Sequence, residues 1–235
     1  MKQYSAILID WDDTIGDWSH AAACALRDLY DDYCLNELFP TLPDFIGLYE
    51  PYNLELWDRY GRNEVTKAQL HFERFYYPLM QADNNPSFHG EDKQSLALRM
   101  GDDFLRLTNK YFTLLPDAEK VVTYLADRYP LTVLSNGFKE VQYYKLAHSG
   151  LQDRFSHIVI SEELGFNKPD PRLFSIALQM NNVSAQQAIM IGDSYTSDIA
   201  GAKAAGIDQL WIHKEPTEQN ATYIVSKLAD VMTIL

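Results

Sequence analysis

The segment Ser5-Ala6-Ile7-Leu8-Ile9-Asp10-Trp11-Asp12-Asp13-Thr14 gives the strongest structural signal in this chain. Its apolar run does not alternate with polar residues, which is typical of a strand buried on both faces of a parallel sheet. Three carboxylates follow within four residues, and they repel one another unless a cation lies between them. Ligands of open α/β sheets bind at the carboxyl ends of the strands, where these acids fall. We therefore predict an active site built on Mg²⁺ at Asp10–Thr14, the alternative being a strand that runs into an acidic surface turn.

Length and composition favour a folded core with room for a second, smaller domain. The 235 residues are 46% hydrophobic and 23% charged, which is ordinary for a globular protein. The apolar run near the N-terminus is too short for a signal peptide or a membrane span, so we expect a cytoplasmic protein. The formal net charge of −13 argues against nucleic acids and anionic membranes as partners, because both attract clustered Lys and Arg. No feature of the sequence indicates an obligate protein partner.

The cysteines and histidines indicate neither a disulfide nor a zinc site. Cys24 and Cys34 fall in what we predict to be one helix, where ten residues separate them by roughly 15 Å. A disulfide allows at most about 7 Å between Cα atoms. The histidines are scattered without His-x-His or His-Glu-x-x-His spacing, which argues against zinc.

Residues 16–115 show helical spacing and are predicted to form an inserted, all-helical domain. The predicted helices are Asp17–Tyr33, Asp44–Tyr60, Thr66–Gln81, with Thr66 as its N-cap, and Glu91–Tyr111. Asn84-Asn85-Pro86 and His89-Gly90 interrupt them. No segment of this region predicts a strand.

From Pro116 onward, helices and strands alternate. The predicted strands are Leu131–Leu134, His157–Ile160, Ala188–Ile191 and Gln209–His213. The predicted helices are Pro116–Asp127, Lys139–His148, Pro171–Met180, Ser197–Ala205 and Tyr223–Met232. Such alternation predicts an α/β fold with a doubly wound parallel sheet, to which the first strand also belongs. The core domain is then residues 1–15 and 116–235, interrupted by the insertion.

Four groups of polar residues follow strands or lie in loops at the same expected edge of this sheet. They are Asp10-x-Asp12-x-Thr14, Ser135-Asn136-Gly137, Lys168-Pro169, and Gly192-Asp193-Ser194 with Asp198. Taken singly, the second is an ordinary turn, the third a solvated lysine, and Asp198 a favourable acid near a helix start. Their combination and order resemble the haloacid dehalogenase-like (HAD) superfamily, most of whose members are magnesium-dependent phosphatases.

The resemblance implies a catalytic role for several of these residues. Asp10 would be a nucleophile that forms an aspartyl-phosphate, and Asp12 would act first as general acid and then as general base. Ser135 would donate a hydrogen bond to the phosphoryl group, and Lys168 would place its positive charge against both phosphate and Asp10. The expected substrate-binding residues are Thr14, which also fixes the turn after the strand, Asn136 and Gly137.

The same resemblance implies a Mg²⁺ cofactor. Mg²⁺ prefers six hard oxygen ligands and usually keeps several waters. The family pattern supplies the Asp10 carboxylate, the Asp12 backbone carbonyl and Asp193, with Asp198 helping from close by.

The identity of the substrate depends on finer features. Haloacid dehalogenases lack the second aspartate because a halide needs no proton, so Asp12 favours phosphate-ester hydrolysis. The insertion matches the position of a C1-type cap, a lid that selects the leaving group. Two features help here. Asp13 replaces the glycine that is common after the second aspartate, and the segments Leu56–Tyr60, Ser135–Glu140 and Ile160–Pro169 resemble pyrimidine 5′-nucleotidases. A small phosphorylated metabolite, with a nucleoside 5′-monophosphate favoured, is therefore the expected substrate.

Other functions are compatible with the same motifs. Among enzymes, the alternatives are a sugar-phosphate or phosphoglycolate phosphatase and, less favoured, a phosphomutase. Outside enzymes, the chain could be a phospho-receiver, since receivers also phosphorylate an aspartate beside magnesium, or a non-catalytic HAD-fold binding protein. A water-activating Asp12 and the long insertion argue against a receiver.

Overall fold

A computed structural model of the chain describes residues 2–82 and 87–235, except for the side chain of Ser87. The chain divides into two compact units, one formed by Met1–Asp17 with Thr113–Leu235 and the other by Trp18–Phe112. The predicted break at Asn84-Asn85-Pro86 lies outside the described residues. Among those that are described, no helix is both long and apolar enough to cross a lipid bilayer.

The first strand, β1 (Ala6–Ile9), leads directly into the acidic segment. All four of its residues are buried, as expected for a strand covered on both faces. The chain then leaves this unit and returns at a neighbouring position. Gly16 and Leu114 form an isolated antiparallel bridge, and the Asp17 N–H donates to the Thr113 carbonyl at 2.9 Å. The two ends of the insertion are thus hydrogen-bonded to each other.

The unit Trp18–Phe112 is mainly helical. Its elements are α1 (Trp18–Asp32), α2 (Leu42–Gly61), α3 (Lys67–Ala82), the short hairpin β2 (Ser87–Phe88) and β3 (Glu91–Asp92), and α4 (Lys93–Lys110). The hairpin contradicts the prediction that the insertion contains no strand. His89 and Gly90 take φ values of 53° and 78°, and such consecutive positive values are typical of a tight two-residue hairpin turn. Spacing rules overlook strands of this length.

Local sequence explains where two of these helices begin. Thr66 forms a capping box with Gln69: its hydroxyl oxygen accepts from the Gln69 N–H at 3.2 Å, and its own N–H donates to the Gln69 side chain at 2.8 Å. The predicted N-cap is thereby confirmed. Thr41 and Asp44 cap α2 in the same way. Cys34 lies beyond the end of α1 with a left-handed φ of 49°, so the prediction that one helix holds both cysteines is wrong.

The core of the helical unit is aromatic. The Tyr49 ring lies 5.2 Å from that of Phe75 and 6.1 Å from that of Phe104. The guanidinium of Arg74, which is 1% exposed, lies over the Phe104 ring at 4.6 Å. A cation held against aromatic faces keeps part of the electrostatic stabilisation that burial removes.

The remaining elements all belong to the first unit. They are α5 (Ala118–Ala126), β4 (Leu131–Ser135), α6 (Lys139–His148), β5 (His157–Ile160), α7 (Ser161–Leu164), α8 (Pro171–Met180), β6 (Ala188–Gly192), α9 (Ala200–Ala204), β7 (Asp208–Ile212) and β8 (Tyr223–Val225). Short 3₁₀ turns connect several of them, the last at Leu228–Thr233. The predicted helix Tyr223–Met232 is therefore wrong. Tyr223-Ile224-Val225 is aromatic and β-branched, and it pairs in parallel with β7 at the edge of the sheet.

Six parallel strands form the sheet in the order β5-β4-β1-β6-β7-β8. This confirms the predicted doubly wound α/β fold. One face packs Leu8, Leu134 and Met190 against Leu173 and Phe174 of α8. Since β4, β1 and β6 are neighbours, the residues that follow them meet at one edge. The candidate site lies at that edge.

Candidate active site

Three carboxylates converge at the carboxyl edge of the sheet. Asp10 follows β1, Asp193 follows β6, and Asp198 lies in the turn before α9. One oxygen from each lies within 4.8 Å of the others. Asp10 and Asp198 are buried and Asp193 is partly so. The structure thus brings together the side chains predicted to bind metal from β1 and from the segment after β6.

Lys168 provides the positive charge of this cluster. Its side chain is 2% exposed, and its ammonium group pairs with both Asp10 and Asp198, the latter at 2.7 Å. Burial lowers the pKa of the Lys168 ammonium, but the charges of Asp10 and Asp198 raise it more, so that its pKa lies above the ordinary value. Lys168 therefore remains charged beside Asp10.

Asn136 holds the loop that presents Lys168. Its amide nitrogen donates to the Lys168 backbone carbonyl at 2.9 Å, and its amide oxygen accepts from the Lys168 backbone N–H at 2.7 Å. Both ends of the side chain are engaged with the backbone of a neighbouring loop. Asn136 thus positions the backbone of Lys168, and its predicted role in binding substrate stays a prediction.

Ser135 and Gly137 interact with each other. Ser135 is the last residue of β4, is 1% exposed, and its hydroxyl oxygen accepts from the Gly137 N–H at 3.1 Å. A hydroxyl can accept and donate at once, so the Ser135 hydrogen is still able to donate to a ligand. The Gly137 N–H orients that hydroxyl, and the predicted role of Gly137 in binding substrate stays a prediction.

Thr14 contacts the metal-binding cluster through Asp193. Its hydroxyl donates to the Asp193 carboxylate at 3.3 Å, so the residue predicted to bind substrate and fix the turn after β1 also holds a candidate metal ligand. Next to it in sequence, Asp13 takes a φ of 57°, a left-handed conformation that glycine adopts freely and Asp tolerates. This explains how an aspartate occupies the position where the resemblance led us to expect glycine.

The turn that contains Asp198 is wider than an α-helix. Tyr195–Ile199 is π-helical, so the predicted α-helix Ser197–Ala205 is wrong in its first turn. One Asp198 oxygen accepts from the Ser194 N–H at 3.1 Å. A Cβ on Gly192 would lie 2.3 Å from that same oxygen, so only glycine allows Asp198 to approach the end of β6.

Asp12 is held by helix α6. Its two carboxylate oxygens accept from the Gln142 amide and the Lys145 ammonium, each at 2.6 Å. The Lys145 side chain is 1% exposed and that of Asp12 is 27% exposed. The Asp12 side chain is thus bound by residues that the sequence analysis did not predict, while the Asp10–Asp193–Asp198 cluster forms without it.

The electrostatics of the cluster fit a divalent cation. Burial raises the pKa of Asp10 well above its ordinary range, opposed by Lys168 and reinforced by Asp198 and Asp193. Burial and the charges of Asp198 and Asp13 raise the pKa of Asp193 to about 7. Hard, closely spaced and mutually repelling oxygens are the donors that Mg²⁺ prefers. Asp10, Asp193 and Asp198 could therefore hold it.

The sequence did not predict three residues that contact the site: Gln142, Lys145 and Trp211. The Trp211 indole N–H donates to the Asp193 backbone carbonyl at 2.7 Å. Gln142 and Lys145 have the spacing that places two side chains on one face of a helix. That signal was present in the sequence, but the spacing does not say which partner the face meets.

Comparison with known proteins identifies the family. The family model described as haloacid dehalogenase-like hydrolase matches residues 4–206. The chain belongs to the haloacid dehalogenase-like hydrolases. The HAD-hydrolase YfnB of Bacillus subtilis is 30% identical to this hydrolase over 100% of this chain and 97% of its own. A crystal structure of YfnB bound to magnesium superposes with a TM-score of 0.86 at 29% identity, covering 99% of each chain.

Two further relatives of this hydrolase differ in the substrates that they are named for. The pyrimidine 5′-nucleotidase YjjG of Escherichia coli is 29% identical over 97% of this chain and 96% of its own. The glyceraldehyde 3-phosphate phosphatase of Pyrococcus furiosus is 28% identical over 100% and 94%. Membership of the family is therefore consistent with both the nucleotidase and the sugar-phosphate predictions.

Proposed function

We propose that this hydrolase is a magnesium-dependent phosphomonoesterase that uses Asp10 as its nucleophile and acts on nucleoside 5′-monophosphates. The observation that supports the proposal most strongly is the buried Lys168, paired with Asp10 and Asp198 beside Asp193. A fixed cation next to a buried carboxylate neutralises a phosphoryl group while leaving that carboxylate aligned for attack.

Asp10 acts in two steps. One of its carboxylate oxygens forms a bond to phosphorus while the bond from phosphorus to the ester oxygen breaks. The departing alkoxide takes a proton from the carboxyl group of Asp12. Water then attacks the same phosphorus and gives a proton to the Asp12 carboxylate. The aspartyl–phosphorus bond breaks, which releases inorganic phosphate and restores both aspartates.

Other residues bind and orient the phosphoryl group. The Ser135 hydroxyl, oriented by the Gly137 N–H at 3.1 Å, donates to one phosphoryl oxygen. Lys168, held through its backbone by Asn136, neutralises another. Mg²⁺, held by Asp10, Asp193 and Asp198 together with the Asp12 backbone carbonyl, would supply further positive charge against the phosphoryl oxygens.

The substrate class is proposed from resemblance. YjjG, named a pyrimidine 5′-nucleotidase, aligns over nearly the full length of both chains, and the segment Ser135–Glu140 resembles that subgroup. We assign the choice of leaving group to the helical unit Trp18–Phe112, which is inserted at the position of a C1-type cap. The second candidate is a sugar-phosphate phosphatase, because the Pyrococcus furiosus relative is named for glyceraldehyde 3-phosphate.

Phosphate release tests the proposal directly. The purified protein is assayed with and without Mg²⁺ on pyrimidine and purine ribo- and deoxyribonucleoside 5′-monophosphates, sugar phosphates, glyceraldehyde 3-phosphate and phosphoglycolate. We expect magnesium-dependent hydrolysis with a preference for pyrimidine monophosphates. Hydrolysis of sugar phosphates or phosphoglycolate alone would retain the chemistry and reject the nucleotide. Absence of release from every compound, or full release without metal, would reject the proposed function.

A further inference from the structure

We propose that Gln142 and Lys145 of α6 are positioning residues that hold the Asp12 carboxylate in the orientation from which it exchanges protons during hydrolysis. This inference rests on the proposed function, because it takes Asp12 as the acid and base of phosphate-ester hydrolysis. Neither residue touches the reacting atoms, and both act through Asp12.

The contacts hold Asp12 at two points. Gln142 donates to one carboxylate oxygen and Lys145 to the other, each at 2.6 Å. The two donors are three residues apart on one helix, so their side chains lie on the same face. Two hydrogen bonds to the two ends of a carboxylate fix both its position and the orientation of its plane.

This arrangement is unfavourable for stability alone. The Lys145 side chain is 1% exposed and pairs with Asp12, and a buried ion pair is often no more stabilising than well-packed apolar side chains of similar volume. Gln142 is also 1% exposed, and within residues 2–82 and 87–235 its buried amide oxygen has no hydrogen-bond partner. An unsatisfied buried acceptor costs stability that an apolar side chain of similar size would not. The polar pair is therefore better explained by what it does to Asp12.

The turn between β4 and α6 leaves room for the contact between Gln142 and Asp12. A Cβ on Gly137 would lie 1.8 Å from the Gln142 amide nitrogen, the atom that donates to Asp12. Any side chain at residue 137 would displace that amide. Gly137 thus allows both the Ser135 hydroxyl contact and the approach of Gln142.

The two contacts leave Asp12 able to act. A carboxylate has about four lone-pair positions, and Gln142 and Lys145 occupy one on each oxygen. The Asp12 side chain is 27% exposed although its partner Lys145 is almost fully buried. The held carboxylate therefore keeps free lone-pair positions and exposed surface at which a proton can be carried.

The experiment compares two substrates, one whose leaving group needs a proton to depart and one whose leaving group does not. Lys145→Met removes the ammonium and keeps an apolar stem, and Lys145→Arg keeps the charge. Lys139→Met is the matched control: it is the same substitution on the same helix, and it removes only the half-exposed ion pair with Glu163 at 2.8 Å. Each variant is assayed on the alkyl phosphate that the wild type hydrolyses fastest and on 4-nitrophenyl phosphate, whose leaving group departs without a proton.

We expect Lys145→Met to lower kcat on the alkyl phosphate by about tenfold or more, within the loss caused by Asp12→Asn, with KM within about twofold. The first turnover of 4-nitrophenyl phosphate, followed as the burst of 4-nitrophenol, should change less than about twofold. Lys139→Met should match the wild type, and Lys145→Arg should recover part of the lost kcat.

Equal losses on both substrates, or a Lys145→Met variant that matches Lys139→Met, would overturn the inference. If Lys145→Met does not fold, Gln142→Leu takes its place. Its loss of kcat on the alkyl phosphate is then compared with its change in the 4-nitrophenol burst. The activity of the wild type distinguishes failure of the proposed function from failure of this inference. If it hydrolyses no monoester, the proposed function fails and the inference with it; if it is active and the variants show no leaving-group dependence, only the inference fails.

Discussion

The indole N–H of Trp211 donates to the backbone carbonyl of Asp193 at 2.7 Å. Trp211 is 3% exposed and lies on β7, in register with Gly192 at the end of β6. A buried ring on one strand therefore fixes the peptide from which a candidate metal ligand projects. Hydrogen bonds of this kind set the direction of a ligand and hence the affinity for the ion.

Trp211→Phe should weaken the binding of Mg²⁺. The substitution keeps a buried aromatic ring and removes the donor to Asp193, so we expect the half-saturating Mg²⁺ concentration to rise about tenfold. At saturating Mg²⁺, kcat should stay within about twofold of the wild type. A titration of activity against Mg²⁺ measures both quantities. An unchanged half-saturating concentration would show that the hydrogen bond does not affect the site.

Asp10→Asn should abolish turnover and leave the fold intact. The amide cannot attack phosphorus, whereas it matches the carboxylate in shape. Burial and the neighbouring acids raise the pKa of Asp10, whereas Lys168 opposes them. The amide removes the cost of a buried charge and also the ion pair with Lys168, so the Tm should stay close to that of the wild type. Phosphate release and thermal unfolding test the two parts. Full magnesium-dependent activity in this variant would rule out Asp10 as the nucleophile.

Asn136→Ala should lower kcat by about tenfold to a hundredfold, because a misplaced Lys168 no longer meets the phosphoryl group. The free energy of unfolding should fall by about 1–3 kcal/mol through the loss of two hydrogen bonds. Asn181→Ala is a suitable control, since Asn181 also makes two amide hydrogen bonds, to Thr132 and Ala177, away from the cluster. Similar losses of kcat in both variants would contradict a specific role for Asn136.

The stabilisation provided by Mg²⁺ should depend on pH. The pKa of Asp193 is about 7 in the folded protein against an ordinary value of 3.8. Between these values the metal-free fold binds more protons than the unfolded chain, so this group makes the free energy of unfolding fall as pH rises. Below the folded pKa, Mg²⁺ must displace the Asp193 proton. The increase in Tm at a fixed Mg²⁺ concentration should be larger one pH unit above that pKa than one unit below.

Thermal unfolding at the two pH values measures this difference. Asp193→Asn has no titrating carboxyl at this position and loses one metal ligand. It should therefore show a smaller increase in Tm at both pH values and a weaker pH dependence. An increase in the wild type that is the same at both pH values would mean that Asp193 does not release a proton on binding the metal.

The sequence predicted the parts of this protein that depend on local pattern. The bounds of α6, β5 and α8 agree with the predicted ones. The Asp170 cap and Pro171 mark the start of α8, and Gly150 follows the end of α6. The meeting of Asp10 and Asp193 was also predictable, since each follows a parallel strand and such strands end at one edge of the sheet. The short segment Tyr223–Val225 was mistaken for a helix because edge pairing with β7, which no local pattern shows, decides its conformation.

The hydrogen-bond partners of these side chains could not be predicted from the sequence. Asn136 stands beside Ser135 in the chain, but its amide binds the backbone of Lys168, 32 residues away. Gln142 and Lys145 reach Asp12 across 130 and 133 positions. Such pairs depend on how the helix after β4 is rotated about its axis, and hydrophobic periodicity gives that rotation too coarsely to name a contact.

The bridge between Gly16 and Leu114, with the adjacent hydrogen bond from Asp17 to Thr113, has a consequence for how this protein can diversify. The chain leaves and re-enters the α/β unit at residues that are hydrogen-bonded to each other. The sheet therefore imposes no fixed length on the segment inserted between them. Closing a longer loop adds only a slowly growing entropic cost. Evolution or an engineer could therefore exchange the whole insertion as a module, and under its proposed role alter substrate choice, while the Asp10–Asp193–Asp198 cluster is inherited unchanged.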